Sequence, residues 1–156
     1  MCEQRVRTRV RTPEGWRGLQ EFLILDEGKA PIEGVEVDGL AEARPTPEVL
    51  AALAESDLIV IGPSNPVISI GPILAVPGMR EAIAASPAPV IAVSPFVAGR
   101  AIKGPTEAFM EAVRRPVSAA GVASLYTGLL DGIVVDEGDP DPPPEGIEAL
   151  VCPTLM

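Results

Sequence analysis

Three short apolar runs constrain what this chain can fold into. They are Leu58-Ile59-Val60-Ile61, Val90-Ile91-Ala92-Val93 and Gly132-Ile133-Val134-Val135. Each has strand length, and none alternates with polar residues. Such runs suit parallel strands covered on both faces. Helical patterns lie around them. Thr46-Pro47 reads as an N-cap with proline at the first helical position, and Leu50, Leu53 and Ala54 give the apolar stripe of a helix over 47–55. Residues 77–85, 105–114 (capped near Gly104) and 118–130, despite Gly121, continue the alternation. Strands alternating with helices predict an α/β fold: three layers, a mostly parallel sheet and helices on both faces. The 15 glycines and 18 prolines among 156 residues suit many strand–loop–helix corners and argue against a helical bundle. Residues 136–144 read as an acidic, proline-rich surface loop. A short helix around 145–150 and a last strand at 150–152 follow. No closing helix comes after, so the sheet is expected to be incomplete, with one edge uncovered.

The amino-terminal part is different. Residues 5–12 read Arg-Val-Arg-Thr-Arg-Val-Arg-Thr, which places Arg5, Arg7, Arg9 and Arg11 on one face of a strand. Two readings fit: an edge strand blunted by charge, or a docking face for an anion. Pro13-Glu14-Gly15 makes a turn, and residues 19–25 are expected to pair back as a second strand. A short strand is expected at Val35-Glu36-Val37. The chain therefore divides into an Arg-rich β-hairpin and loop subdomain over 1–46 and an α/β portion over 47–156.

Charge and composition exclude several functions. The net charge is −10, although residues 1–17 set five arginines against Glu3 and Glu14. A general nucleic-acid binder needs the opposite balance. There is no histidine, which removes Ser-His-Asp and Cys-His chemistry and His-ligated zinc. Cys2 and Cys152 read as reduced thiols in a cytoplasmic protein. The first apolar run, Phe22-Leu23-Ile24-Leu25, is far short of a membrane span. Trp16 and Tyr126 read as packing residues, and Asp57 and Asp131 as caps or surface charges beside strand starts.

Ligands of open α/β sheets sit beyond the carboxyl ends of the strands. Two loops leave such ends. Residues 62–72 read Gly-Pro-Ser-Asn-Pro-Val-Ile-Ser-Ile-Gly-Pro. Glycines let backbone approach a ligand, Ser and Asn offer hydrogen bonds, and prolines stiffen the loop. The segment is an anion cradle or a stiff connector that binds nothing. Residues 94–100 continue to Lys103-Gly104-Pro105. Arg100 and Lys103 there are two cations near a strand end that either meet a diphosphate or are merely solvated.

At these loops the sequence resembles the 2-phospho-L-lactate transferase family, a CofD-like, Rossmann-related fold of coenzyme F420 biosynthesis. The similarity is carried by residues 56–82, by Ala88-Pro89-Val90-Ile91-Ala92-Val93-Ser94-Pro95, by Lys103-Gly104-Pro105, by the arginine-rich start and by Pro153-Thr154-Leu155-Met156. A sister family of UDP-sugar-binding factors usually carries Gly-Pro-Gly-Ser-Leu-Tyr-Thr-Ser where Gly62-Pro63-Ser64-Asn65-Pro66 stands here. The resemblance implies transfer of a 2-phospholactyl or phosphoenolpyruvyl group from a GDP-activated donor to the primary hydroxyl of the deazaflavin FO, with GMP leaving and Mg2+ bridging the diphosphate. It further implies phosphate or nucleotide contacts at Ser64, Asn65, Ser69 and Gly71, then Ser94, Arg100 and Lys103, and a homodimer in full-length members. Members are about twice this length and carry a Gly-Gly-Thr-Gly-Gly turn and an Asn-x-x-Asp-Asp segment that are missing here. The chain thus reads as a partial copy with no nameable catalytic base or metal ligand. A non-catalytic nucleotide- or UDP-sugar-binding regulatory module is the other reading. Ile68 stands where the family usually has Thr, and Ala98 where Gly is usual.

Overall fold

The computed structural model describes residues 1–155. It contains a three-stranded antiparallel sheet, a four-stranded parallel sheet and a small two-stranded ribbon.

The antiparallel sheet is built on β1 (Arg7–Thr12), which pairs with β2 (Gly15–Gly18) on one side and β3 (Gly34–Asp38) on the other. The arginine-rich strand is therefore central, not an edge. Two of its charges are also answered. Arg9 reaches Glu36 at 3.2 Å and Asp38 at 2.7 Å, and Arg11 reaches Glu33 at 3.4 Å. Carboxylates arriving on and beside β3 thus pair Arg9 and Arg11, whereas Arg5 and Arg7 are exposed and make no ion pair among the described residues. Trp16 does not pack inside. It lies exposed beneath the Arg9 guanidinium, 5.2 Å from ring centroid to Cζ.

Residues 19–25 do not form a strand. They form α1 (Leu19–Ile24), which buries Phe22, with Leu19 and Leu23 packed beside it. The spacing of those three side chains is helical. Phe22 meets Val10 of β1 and Phe109 of α5 (Thr106–Ala112) in a small second core.

The parallel sheet runs β4 (Ile59–Ile61), β5 (Val90–Val93), β8 (Gly132–Asp136) and β9 (Glu148–Cys152), in that order. The expected helix around 145–150 is absent, because the chain enters β9 directly from a turn with Gly146 at φ +75°. Between β5 and β8 lie the ribbon β6 (Phe96–Val97) and β7 (Arg100–Ala101), then α5, then α6 (Ala119–Leu125). Before β4 comes α2 (Pro47–Glu55), and between β4 and β5 come α3 (Gly71–Leu74) and α4 (Met79–Ala84). As expected, Thr46 caps α2 by accepting from the Val49 N–H at 3.4 Å. Ser118 caps α6 through the Gly121 N–H at 3.2 Å, and that helix ends sooner than its apolar pattern.

The main core joins Ile61, Val90, Ala92, Ile133 and Val135 of the sheet to Met79 and Ile83 of α4 and to Val122, Ala123 and Tyr126 on and beside α6. Cys2, Val6, Leu40 and Ala43 enter the same core, so the segments flanking the antiparallel sheet are anchored to the α/β part. Both cysteines are free. The run at 58–61 is covered on one face only, with Leu58 and Val60 exposed. No helix among the described residues is long and apolar enough to cross a membrane.

Candidate functional site

β4 and β5 are adjacent and parallel, so the loops leaving their carboxyl ends lie side by side. The loop after β4 is more ordered than the sequence suggests. Residues Pro66–Ile70 wind into a π-helical turn that continues directly into α3. The Ile70 and Ser69 N–H groups both donate to the Asn65 carbonyl, at 3.1 and 3.0 Å. Gly71 closes the turn: a Cβ there would sit 3.2 Å from the Pro66 carbonyl oxygen. Single π turns often mark functional sites.

Asn65 is the cap. Its Oδ1 accepts from the Val67 N–H at 2.9 Å and the Ile68 N–H at 3.1 Å. These first-turn donors are therefore engaged inside the protein, and an anion at this corner must draw on other groups. Asn65 Nδ2 donates to Thr106 Oγ1 at 3.4 Å, which ties the corner to the start of α5 just past Lys103-Gly104-Pro105. Ser64 is exposed at the tip. Ser69 and Gly71 are half-buried within the turn.

In the loop after β5, Ser94 is buried. Its hydroxyl accepts from the Phe96 N–H at 3.2 Å, and its own N–H donates to the Val134 carbonyl at 2.9 Å. Its part is to shape the turn. Arg100 and Lys103 are exposed, and neither makes an ion pair among the described residues. The structure thus ties the first loop to the start of α5 through Asn65 and Thr106, and leaves Ser64, Arg100 and Lys103 each exposed to solvent.

One group that composition and spacing did not reveal organises the second loop. Asp136, at the end of β8, is buried. Its Oδ1 accepts from the Ala98 N–H at 3.2 Å and the Gly138 N–H at 3.0 Å, and its Oδ2 accepts from the N–H and hydroxyl of Thr154, both at 3.0 Å. Asp139 Oδ1 takes the Gly99 N–H at 2.7 Å. The clamped backbone is left-handed, with Ala98 at φ +50° and Gly99 at φ +76°. A left-handed position disfavours any Cβ, which gives a physical reason for the glycine that the resembling family usually has at Ala98. The nearest sequence signal for this clamp was an aspartate closing an apolar strand before Gly138-Asp139-Pro140.

The donors around Asp136, the Thr154 N–H first among them, hold its carboxyl below the ordinary 3.8 against some desolvation. Burial pushes Asp139 up, with the Gly99 N–H opposing and the charges of Asp136 and Asp141 assisting. The two windows differ in sign. The stabilisation from Asp136 is complete above 3.8 and is lost as pH falls through its lower folded value. Asp139 destabilises at high pH and is relieved on acidification. Urea unfolding measured from about pH 5 to about pH 2.5 is therefore expected to show a loss of stability below 3.8 that Asp136→Asn flattens. An equally steep loss in the variant would mean the clamp is not ionic.

A mostly apolar cavity of about 230 Å³ lies behind the π turn, lined by Pro66, Val67, Gly71, Leu74, Arg80 and Tyr126 among others. Of the site residues expected from the sequence, Gly71 lines it, and Ser64, Arg100 and Lys103 do not. Burial pushes the Tyr126 hydroxyl well above its ordinary value, which leaves it a neutral wall residue.

A family model described as 2-phospho-L-lactate transferase CofD matches residues 1–148. The chain belongs to the CofD family. Among curated relatives, the 2-phospho-L-lactate transferase of Methanosarcina mazei is 41% identical over 139 residues, covering 89% of this chain and 45% of the relative. That of Methanopyrus kandleri is 39% identical over 159 residues, covering 100% and 51%. The phosphoenolpyruvate transferase of Streptomyces coelicolor is 43% identical over 146 residues, covering 90% and 46%. This CofD-family chain thus spans about half the length of these relatives, as the reading of a partial copy expects. A solved Bacillus halodurans protein aligns with a TM-score of 0.62 at 20% identity, over 97% of this chain and 53% of that one. A second structure, titled as a UPF0052 family member from the same organism, gives 0.59 at 19% identity. These likenesses support the fold alone.

Proposed function

We propose that this chain supplies the donor-binding part of a transferase in coenzyme F420 biosynthesis. It would move a 2-phospholactyl or phosphoenolpyruvyl group from a GDP-activated donor to the primary hydroxyl of FO. The observation that carries the reading is the family match over residues 1–148. It is supported by relatives named for both activities and by two loops joined at the carboxyl ends of adjacent parallel strands. In the reaction, the FO hydroxyl oxygen bonds to the phosphorus that carries the 2-oxygen of the lactate or enolpyruvate. The bond from that phosphorus to the GMP oxygen breaks, its electron pair leaves with GMP, and the hydroxyl proton is released. Phosphoryl transfer of this kind rests on positioning and charge neutralisation. In this proposal Arg100 and Lys103 offset the diphosphate charge, Ser64 Oγ meets a phosphate oxygen, and Asn65, Ser69, Gly71 and Ser94 hold the corner in shape.

Mg2+ is held by oxygen ligands, usually one or two carboxylates together with water and substrate phosphates. No cluster of three or more Asp, Glu, Cys or His side chains able to hold a metal occurs among the described residues, and Asp136 and Asp139 already accept backbone donors. No step is assigned to the metal. The chain's span of about half of its relatives supports a second reading, a nucleotide- or UDP-sugar-binding module without catalysis. Formation of product from FO by this chain would overturn that second reading.

GDP titration followed by amide NMR is expected to shift Ser64, Asn65 and Lys103. Arg100→Ala and Lys103→Ala should each weaken binding by about tenfold, the scale of one charge-assisted contact. Unmoved resonances at Ser64 and Asn65 would remove the site assignment.

A further inference from the structure

The two faces of the parallel sheet are treated unequally. Residues in one parallel register row share a face. Ile61, Ala92 and Ile133 form one row, buried under the helices. Val60 and Ile91 share the opposite face, as do Val93, Val134 and Leu150. The Ile91 side chain confirms the direction, because a Cβ on Gly132 would meet its Cδ1 at 2.9 Å. None of these five side chains belongs to either core cluster or packs against one. Val60 is 57% exposed and Leu150 62%. The free edge of β4 adjoins this face. Its three residues are aliphatic, with neither the proline nor the charge that usually blunts an edge.

We propose that this face and the β4 edge form one interface, occupied by a polypeptide equivalent to the half of the family relatives that this chain does not match. That segment adds a parallel strand beside β4 and lays helices over Val60, Ile91, Val93, Val134 and Leu150. Three observations select this occupant. The chain accounts for 45% to 51% of the relatives quoted above, so a segment of matching size exists in each of them. The Bacillus halodurans fold likewise extends well beyond the part aligned here. And strands that are apolar on both faces belong to sheets covered on both faces. A second copy pairing β4 with β4 would seal only the edges and leave exposed Leu150 and half-buried Ile91, Val93 and Val134 without a covering layer. The added strand would also place the 62–72 corner between two halves of one sheet, where ligands of doubly wound folds bind. The inference does not depend on which group is transferred.

The test is co-expression. The tagged chain is produced with the unmatched segment of the Methanosarcina mazei, Methanopyrus kandleri or Streptomyces coelicolor relative, then isolated without nucleotide. The expected result is a 1:1 complex with at least one of them, with hydrogen exchange slowed at 58–61 and 91–93. Val60→Lys and Leu150→Lys, both on exposed positions and so harmless to the free fold, should lower the recovered complex by about tenfold or more. Failure to co-purify with all three segments overturns the proposal. So does a homodimer of this chain that Val60→Lys dissolves. Because no donor is present, loss of GDP binding leaves the outcome untouched.

Discussion

Gly121→Ala is expected to destabilise the protein by about 3 kcal/mol or more, against the usual sign of that substitution. In an ordinary helix interior, alanine in place of glycine gains about 1 kcal/mol. Here the new Cβ would lie 1.9 Å from the Pro116 carbonyl oxygen, 2.8 Å from its carbon and 3.1 Å from Met110 Cε. The first two are backbone atoms. They cannot withdraw easily, since Ser118 caps the same helix through the Gly121 N–H. Met110 is fully buried as well, so the helix cannot tilt away from Pro116 without compressing the core. Overpacking of this kind costs roughly 1–3 kcal/mol where side chains can adjust, and more where only backbone can. Ala120→Gly is the control. Ala120 is exposed on the same helix, so only propensity is lost, about 0.5–1 kcal/mol. Urea unfolding of the two variants separates the effects. A neutral or stabilising Gly121→Ala would show that α6 does not approach Pro116 in solution.

The same glycine shows what was legible in the sequence and what was not. The apolar pattern over 118–130 announced a helix in spite of Gly121, and α6 is there. What the pattern could not show is why a glycine is tolerated, because the reason lies in a contact with the chain before the helix. The parallel strands were legible for the opposite reason: a run such as Val90-Ile91-Ala92-Val93 carries its own burial signal. The arginine strand was legible as a strand but not as a central one. Its second partner, β3, arrives some twenty-five residues later, with Glu36 and Asp38 placed against Arg9. Residues 19–25 were misread because the turn at Pro13-Glu14 suggested a long hairpin, whereas β2 ends at Gly18 and the burial of Phe22 has helical spacing. At the candidate site, residue types pointed to the loops over 62–72 and 94–105. They did not reveal that Asn65 spends its side-chain Oδ1 on the Val67 and Ile68 N–H groups, nor that Asp136 holds the neighbouring loop. Its partners stand 38 and 18 residues away in sequence, a distance that no local pattern spans.

Phe109→Ala is expected to cost about 3–5 kcal/mol, the range for truncating a fully buried aromatic. Phe109 has no exposed surface and meets Phe22 edge-on, with ring centroids 5.8 Å apart and planes at 74°. It joins two parts of the chain, since its companions Val10 and Phe22 come from the antiparallel sheet and α1. A void there would leave β1 and α1 without their buried neighbour on α5. The effect should reach the candidate site, because Val67 and Ile68 of the π turn pack against this same cluster. Those are the residues whose N–H groups Asn65 caps. With their side chains unsupported, the turn has more freedom, and ordering it again on binding weakens the complex. GDP affinity of the folded fraction should therefore fall in Phe109→Ala, while Phe109→Leu, which keeps most of the volume, should lose about 1 kcal/mol of stability and little affinity. If Phe109→Ala loses stability while GDP affinity is unchanged, the cluster supports only the fold, and the corner's shape is set entirely by Asn65, Gly71 and the bond to Thr106.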